Sequence, residues 1–446
     1  SAGVGCSDHE VNIKILLGDA VAQGKLTVTQ RNKLLADMTD DVSALVLMDN
    51  YRQSMALTNA QHQSIALADE HVRFMQTLER SGDLDRVVEF LPDDENFEQR
   101  LAMGKGLTRP ELSVLLAYAK IVLFKDVLLS DLPDDPDLTG SLATYFPPLI
   151  QKKLQDLIPQ HRLRREIIAT YVSNTLVNRT GPSFITNLQD RTGAAPHAIA
   201  RAYLACRQVF RIAELWSGVE ALDNSVPADA QTEMHLEILD LIKRGTLWFL
   251  ANGAQYGAIG GVVGAYRSPV ETLDANLCEI LSPALKSTRD DKAYSYIARK
   301  VPKALAHRIA NLDALAPACD IVRIASGGGF EPTAVAKVYY GLGARFGFDW
   351  MRKAAKALAE GDEWRKLAAY GIVEDLYLYQ TELTTWVMDA AGSADVAPAI
   401  IEIWSETRRH AVQRLESLVA DLKTMPMVDL AMLSVVNREL RTLISR

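Results

Sequence analysis

Apolar residues return every three or four positions along most of this chain, the period of an amphipathic helix, and strand-like alternation is scarce. Capping boxes mark two helix starts. Thr108-Arg109-Pro110-Glu111 places a hydroxyl at the N-cap, Pro in the first turn and Glu at the third position, predicting a helix over roughly 109–129. Ser268-Pro269-Val270-Glu271 repeats the pattern and predicts a start there, with a helix to roughly 281. Ala397, Ile401, Trp404, Ala411, Leu415, Leu418 and Leu422 follow alternating steps of four and three, with Arg408 filling one slot. That stripe predicts one long helix packed inside a bundle, stopped by Pro426, with a last helix over roughly 428–444. No Asn-Gly or Asp-Gly hairpin joins two alternating runs.

The pattern lapses twice. Asp131 to Pro148 holds four prolines and several aspartates, a stiff polar connection. Ala251 to Tyr266 holds five glycines among small residues and reads as a loop or an irregular helix crossing. No repeat of 20 to 50 residues argues for a solenoid. The fold class is therefore all-α. At 446 residues the chain exceeds one core, and a multi-helix bundle in two or three sub-bundles is expected.

Composition narrows the function classes. Hydrophobic residues make up 48% and charged residues 23%, ordinary for a folded chain, and the formal charge is -8 with the signs interspersed. Nucleic acid is excluded as a partner, because phosphate neutralisation needs clustered Lys and Arg. A bilayer span needs about 20 apolar residues. The uncharged stretch Thr246–Tyr266 carries Asn252 and Gln255, and the run Leu112–Ala119 is cut by Lys120 and Lys125, so no membrane partner is expected. Cys6, Cys206, Cys278 and Cys319 form no C-x-x-C pair, which suits free thiols in a reducing cytoplasm. Ser1-Ala2-Gly3-Val4-Gly5 does not resemble a natural amino terminus, and the chain reads as part of something longer.

Catalytic patterns are missing. A dinucleotide turn needs glycines at G-x-G-x-x-G. Gly257, Gly260, Gly261 and Gly264 have the wrong spacing, Gly341-x-Gly343 meets Phe346 where the third glycine belongs, and Gly327-Gly328-Gly329 are consecutive. Close helix packing or loops account for them, with Gly341, Gly343 and Gly347 at a helix-to-loop setting. The eight histidines make no H-E-x-x-H pair, and His62 and His71 read as solvated or capping, so no metal site is expected. Ser7-Asp8-His9 has the letters of a triad, but consecutive side chains diverge. Asp93-Asp94-Glu95, Asp134-Asp135 and Asp290-Asp291 read as solvated caps or loops. Tyr370, Tyr377, Tyr379 and Trp386 read as core or a helix interface, Tyr370 and Tyr377 sharing a face. Asn174, Asn178, Arg179, Gly181-Pro182, Ser183 and Asn187 read as a structural corner, one helix ending and Ser183 capping the next.

The opening residues Ser1-Ala2-Gly3-Val4-Gly5-Cys6-Ser7-Asp8-His9-Glu10-Val11-Asn12-Ile13-Lys14-Ile15-Leu16-Leu17 closely resemble the end of the catalytic domain in the large bacterial NAD-specific glutamate dehydrogenases. The resemblance continues through Leu45–Arg52, Gly106–Leu116, the Asn178-Arg179 corner, Val338–Trp350 and the terminal helices, covering essentially the whole chain. It implies that residues 1–10 are a short non-helical remnant of the catalytic domain. The rest then divides into a sub-bundle over 11–130, the connection 131–148, a sub-bundle over 149–250, the glycine-rich loop 251–267 and a bundle over 268–446. It implies oxidative deamination of L-glutamate to 2-oxoglutarate and ammonia in the parent protein. NAD and the catalytic residues would lie upstream, and no catalytic or cofactor residue within these 446 positions.

One contact is implied here. Smaller glutamate dehydrogenases carry Asn-Ala-Gly-Gly-Val-x-x-Ser, whose Ser binds a substrate carboxylate, and Ser1 to Ser7 matches in register while departing at Ser1 and Ala2. Ser7 thus resembles a substrate ligand; it also fits a helix N-cap, with Glu10 closing a capping box. The expected partners are the catalytic domain of the same polypeptide and further copies in a homo-oligomer, with support, assembly or regulation as the role. Two rivals stand beside this reading: a freestanding helical scaffold that binds proteins, and an independent enzyme with a helical active site.

Overall fold

A computed structural model describes residues 2–359, 363–390 and 397–444; Ser1 lies outside them. Among the described residues there are 23 α-helices and four short 3-10 turns, with no strand, so the chain is all-α. Two compact units divide it: residues 1–208 with 231–263, and residues 209–230 with 264–446.

In the first unit, helices Arg109–Leu129 and Arg164–Thr180 form the central pair, and Thr39–His62 packs on both. Leu112, Leu115, Leu116, Ala119, Leu123 and Val127 of the first helix are buried, as are Ile168, Ala169, Val172 and Leu176 of the second. These positions recur at the helical period, so each helix offers one apolar stripe to its neighbour. The Thr108 box forms as predicted. Glu111 accepts from the Thr108 backbone N–H at 2.7 Å and its hydroxyl at 2.8 Å, and from Arg100 Nη1 at 2.7 Å. Glu111→Ala strands all three donors and is expected to lower the unfolding free energy by about 2 kcal/mol in urea titrations.

The amino-terminal residues depart from expectation. Helix Ala2–Ala22 is continuous where residues 1–10 read as non-helical. Its inner face carries His9, Asn12, Ile13, Leu16, Leu17 and Ala20, all buried, and it packs on Thr39–His62. A Cβ on Gly5 would lie 3.3 Å from Val46, so this glycine marks close helix packing rather than a loop.

In the second unit, the long helix Glu363–Ala390 is packed by Pro332–Phe346, Phe348–Ala357 and Leu430–Ile444. Gly343 is required there: a Cβ would sit 2.7 Å from Gln380 Nε2, which donates to the Tyr339 carbonyl at 2.8 Å. Arg352 joins the same network, reaching Gln380 Oε1 at 2.8 Å and Asp349 Oδ1 at 2.6 Å with Tyr377 stacked 4.3 Å away.

Two helix boundaries need correction. Ser268-Pro269 starts no helix; both lie inside Ile259–Ile280, because Pro269 is accommodated where the apolar period continues through Val262, Tyr266, Val270 and Leu273. The 397–422 stripe is two helices, Ala397–Thr407 and Arg409–Thr424. Arg408 breaks it by donating to the Leu443 carbonyl at 3.0 Å while its guanidinium lies 4.8 Å from the Trp386 ring.

Candidate functional site

Helix Ala2–Ala22 carries the one sequence-derived site residue, Ser7, and places it on the exposed side. At about 100° per residue, Ser7 lies roughly 160° around the helix from buried His9. It is several residues inside the helix and is not an N-cap, so the capping-box alternative fails.

The opposite face is a polar seam. Tyr145 Oη donates to Asp8 Oδ2 at 2.7 Å, and Asn12 Nδ2 donates to Tyr145 Oη at 2.9 Å and to Asp8 Oδ1 at 3.2 Å. The His9 ring stacks on Tyr145 with centroids 4.4 Å apart. His161 Nδ1 accepts from the Leu163 N–H at 3.1 Å, so its Nε2 carries the proton and donates to the Asn12 carbonyl at 3.0 Å. Burial holds both imidazoles below their ordinary pKa, at His9 against the pull of Asp8 and Asp49, and raises the Tyr145 phenol, which Asp8 raises further. Half-buried Lys120 is pulled down to about 8 by burial, with Asp49 opposing. The seam thus fixes the first helix to the unit with neutral rings. Asp8, Tyr145 and the Asn12 amide nitrogen are engaged with one another, while His9 Nδ1 and Asn12 Oδ1 are buried without a hydrogen-bond partner among the described residues.

The second feature of this unit is a cavity of about 620 Å³ beside the glycine-rich crossing. Ala202, Ala205, Phe249 and Val262 floor it, and Asp131, Asp134, His197 and Arg201 stand at its rim. Arg201 bridges Asp131 at 2.8 Å and Asp135 at 2.9 Å, Asp134 holds Arg164 at 2.8 Å and also Arg165, and Asp126 takes the His197 ring at 2.8 Å. The rim aspartates are paired with arginines and Asp126 is hydrogen-bonded to His197, leaving an apolar floor with a paired rim. A pyrophosphate would need free amides at such a glycine-rich turn. Here the Ile259 N–H donates to Asp135 Oδ2 at 3.1 Å and the Gly260 N–H donates to Asp137. A Cβ on Gly260 would lie 2.6 Å from Asp137 Oδ1, so that glycine admits a carboxylate of the same chain. The residues present do not fit a dinucleotide.

Other sequence readings resolve individually. Asp93 caps the helix Asp94–Ala102 as read, accepting from the Asn96 N–H at 2.7 Å, whereas the Asp135 side chain is fully buried and ion-paired, not solvated. His62 is exposed in the last turn of its helix, but His71 sits in the core at 0% exposure, with neither ring nitrogen hydrogen-bonded among the described residues. Gly181 follows the helix Arg164–Thr180, and Ser183 precedes the helix Phe184–Thr192 with its hydroxyl on Glu70 at 3.3 Å. Tyr377 stacks on Arg352, while Tyr370 is half exposed. Among the described residues no three His, Cys, Asp or Glu side chains gather as a metal site, and no helix is long and apolar enough to cross a membrane. Tyr145 and His161 escaped the sequence reading, since they meet the first helix only through packing.

Residues 104–442 match the family model described as glutamate dehydrogenase, C-terminal. The chain belongs to the C-terminal region of the bacterial NAD-specific glutamate dehydrogenase family. Residues 1–60 match a second model of that family, the catalytic domain of bacterial NAD-glutamate dehydrogenase. NAD-specific glutamate dehydrogenases of Halomonas elongata and Pseudomonas aeruginosa are each 36% identical over 99% of the chain, and that of Mycobacterium tuberculosis is 30% identical over 99%. In each case the chain spans 27% of the relative's length. The two matched stretches of the chain meet in one core. Helix Thr39–His62 lies mostly in the catalytic-domain match, and it packs on Arg109–Leu129 and Arg164–Thr180 of the C-terminal match.

Proposed function

We propose that this chain is the helical support of an NAD-dependent glutamate dehydrogenase, joined rigidly to the catalytic part of the same polypeptide. The parent reaction would convert L-glutamate, NAD and water to 2-oxoglutarate, ammonia and NADH. One observation carries the reading: a stretch matched by the catalytic-domain model is built into the helical core. Helix Ala2–Ala22 is sealed there by the Asp8–Tyr145–Asn12 seam and by Arg162 on Asp19 at 2.9 Å. A core that is packed through its junction transmits position, and so limits how far the catalytic cleft can drift. NAD would bind upstream, since the glycine-rich crossing gives its amides to aspartates. Free cysteines suit a cytoplasmic setting, and assembly as a homo-oligomer belongs to the same proposal.

Ser7 is the substrate contact in this reading. Its exposed position on the side away from the seam leaves the hydroxyl available to a carboxylate held by the upstream domain. A hydrogen bond to a charged group is worth about 1.5–3 kcal/mol. Ser7→Ala in the full-length enzyme is therefore expected to raise the KM for glutamate about tenfold or more. An unchanged KM removes the contact. The 446-residue chain alone is expected to form no NADH from glutamate and NAD while the full-length enzyme does. NADH production by the chain alone would overturn the division of labour.

A further inference from the structure

The turn between Leu84 and Leu91 presents apolar side chains outward in a way the fold itself does not use. Val87, Val88 and Phe90 are 84%, 66% and 88% exposed. A flexible loop would let such residues fold back onto the surface; this one is held. Leu84 and Leu91 anchor its ends in the core. Arg86, nearly buried, ties Glu79 at 2.9 Å, Asp94 at 2.6 Å and the Pro92 carbonyl at 3.2 Å. Asp85 Oδ1 accepts from the Val87 and Val88 N–H groups at 2.9 and 3.2 Å. Phe90 stands at φ 55°, a left-handed conformation that a residue with a Cβ rarely adopts. Tyr118 Oη on Glu89 at 2.8 Å and Lys125 on Asp83 at 2.9 Å lay the turn over the outer face of helix Arg109–Leu129, where Ile121 is also half exposed. A rigid, strained turn with an apolar tip is the form of a preorganised contact.

We propose that Val87, Val88 and Phe90, backed by Ile121, form an acidic-rimmed seat on which the upstream part of the polypeptide docks through a surface that is apolar at its centre and basic at its rim. This rests on the supporting role proposed above. The rim selects the occupant. From Asp83 to Glu95 the segment carries six acidic residues and one basic residue, so a two-fold pairing of identical seats would oppose like charges. The chain spans 27% of its relatives, so nearly three quarters of their length lies outside the matched stretch. On the supporting role proposed above, that length includes the catalytic part joined to this unit through helix Ala2–Ala22, which makes it the nearest source of a covering surface.

The test uses full-length enzyme with a benzophenone-bearing phenylalanine analogue at position 90, prepared as an equal mixture of light- and heavy-nitrogen protein and irradiated. Phe90 is outside the core, so its replacement leaves packing intact. The expected cross-links join position 90 to peptides upstream of residue 1. Two results overturn the seat: cross-links to residues 1–446 of a second copy, identified as mixed-isotope pairs, or a yield no higher than with the analogue at position 294, another exposed aromatic. NAD-dependent glutamate oxidation by the same preparation separates the two ideas. Active enzyme with either overturning result sinks the docking seat alone, whereas unmodified full-length protein that never oxidises glutamate sinks the supporting role.

Discussion

Asp135→Ala is expected to lower the unfolding free energy by about 3 kcal/mol, the range for removing one partner of a buried ion pair. The carboxylate is 0% exposed and engages both oxygens. Oδ2 accepts from Arg201 Nη1 at 2.9 Å and from the Ile259 N–H at 3.1 Å, and Oδ1 accepts from the Asp137 N–H at 3.1 Å. Truncation leaves Arg201 with Asp131 alone, which is 81% exposed and screened by solvent, and leaves the buried Ile259 amide without its acceptor. Arg201 is itself 28% exposed, so water recovers part of the loss and the estimate stays at the low end of the range. Asp135→Asn keeps an oxygen and the shape, and a smaller loss of about 1–2 kcal/mol is expected. Urea titration followed by circular dichroism measures both; if the two units melt separately, only the transition of the unit holding Asp135 moves. An unshifted midpoint in Asp135→Ala would show that the glycine-rich crossing does not depend on this carboxylate.

The second large effect is a pH dependence that one core histidine creates. His71 is fully buried, and burial alone pulls its pKa from 6.5 down to about 4. The unfolded chain therefore binds a proton near pH 6.5 that the folded chain refuses until about pH 4. Stability from this residue is intact above pH 6.5 and falls as the pH drops through that window, levelling below pH 4. At about 1.4 kcal/mol per pH unit the whole window is worth about 3 kcal/mol. His71→Leu, apolar and of similar size, removes the proton from both sides. Relative to their difference at pH 8, the variant is expected to gain about 2 kcal/mol over the wild-type chain at pH 5 in paired urea titrations. Parallel stability curves for the two proteins would mean that folded His71 takes up its proton as easily as unfolded His71. The variant also removes ring nitrogens that have no hydrogen-bond partner among the described residues, so no loss of stability is expected at pH 8.

What could be read without coordinates follows from range. Helical period and capping depend on neighbours within four residues. The Arg109–Leu129 helix and its Glu111 box were therefore legible from Thr108-Arg109-Pro110-Glu111 alone, and so was the all-α class. Boundaries went wrong where a local signal met a distant partner. Ser268-Pro269 spells a helix start but lies inside Ile259–Ile280, and the stripe from Ala397 to Leu422 is cut at Arg408 by a carbonyl 35 residues away. The site was less legible still. Ser7 could be named only through family resemblance, and its exposed place on a helix follows from which face of Ala2–Ala22 the bundle covers.

By itself, the sequence determined that this chain is helical, where the Arg109–Leu129 helix and the last helix lie, and that its glycines do not have the spacing of a dinucleotide turn. Only the tertiary structure decided which polar residues are buried and with whom. Asn12 meets Tyr145 across 133 positions, Arg201 meets Asp135 across 66, and His71 meets no hydrogen-bonding partner among the described residues. The reason is physical: an apolar stripe states that a face will be covered, but the covering element is chosen by the packing of all helices together. The pKa of a histidine, or the fate of an aspartate in a proline-rich connection, depends on that choice.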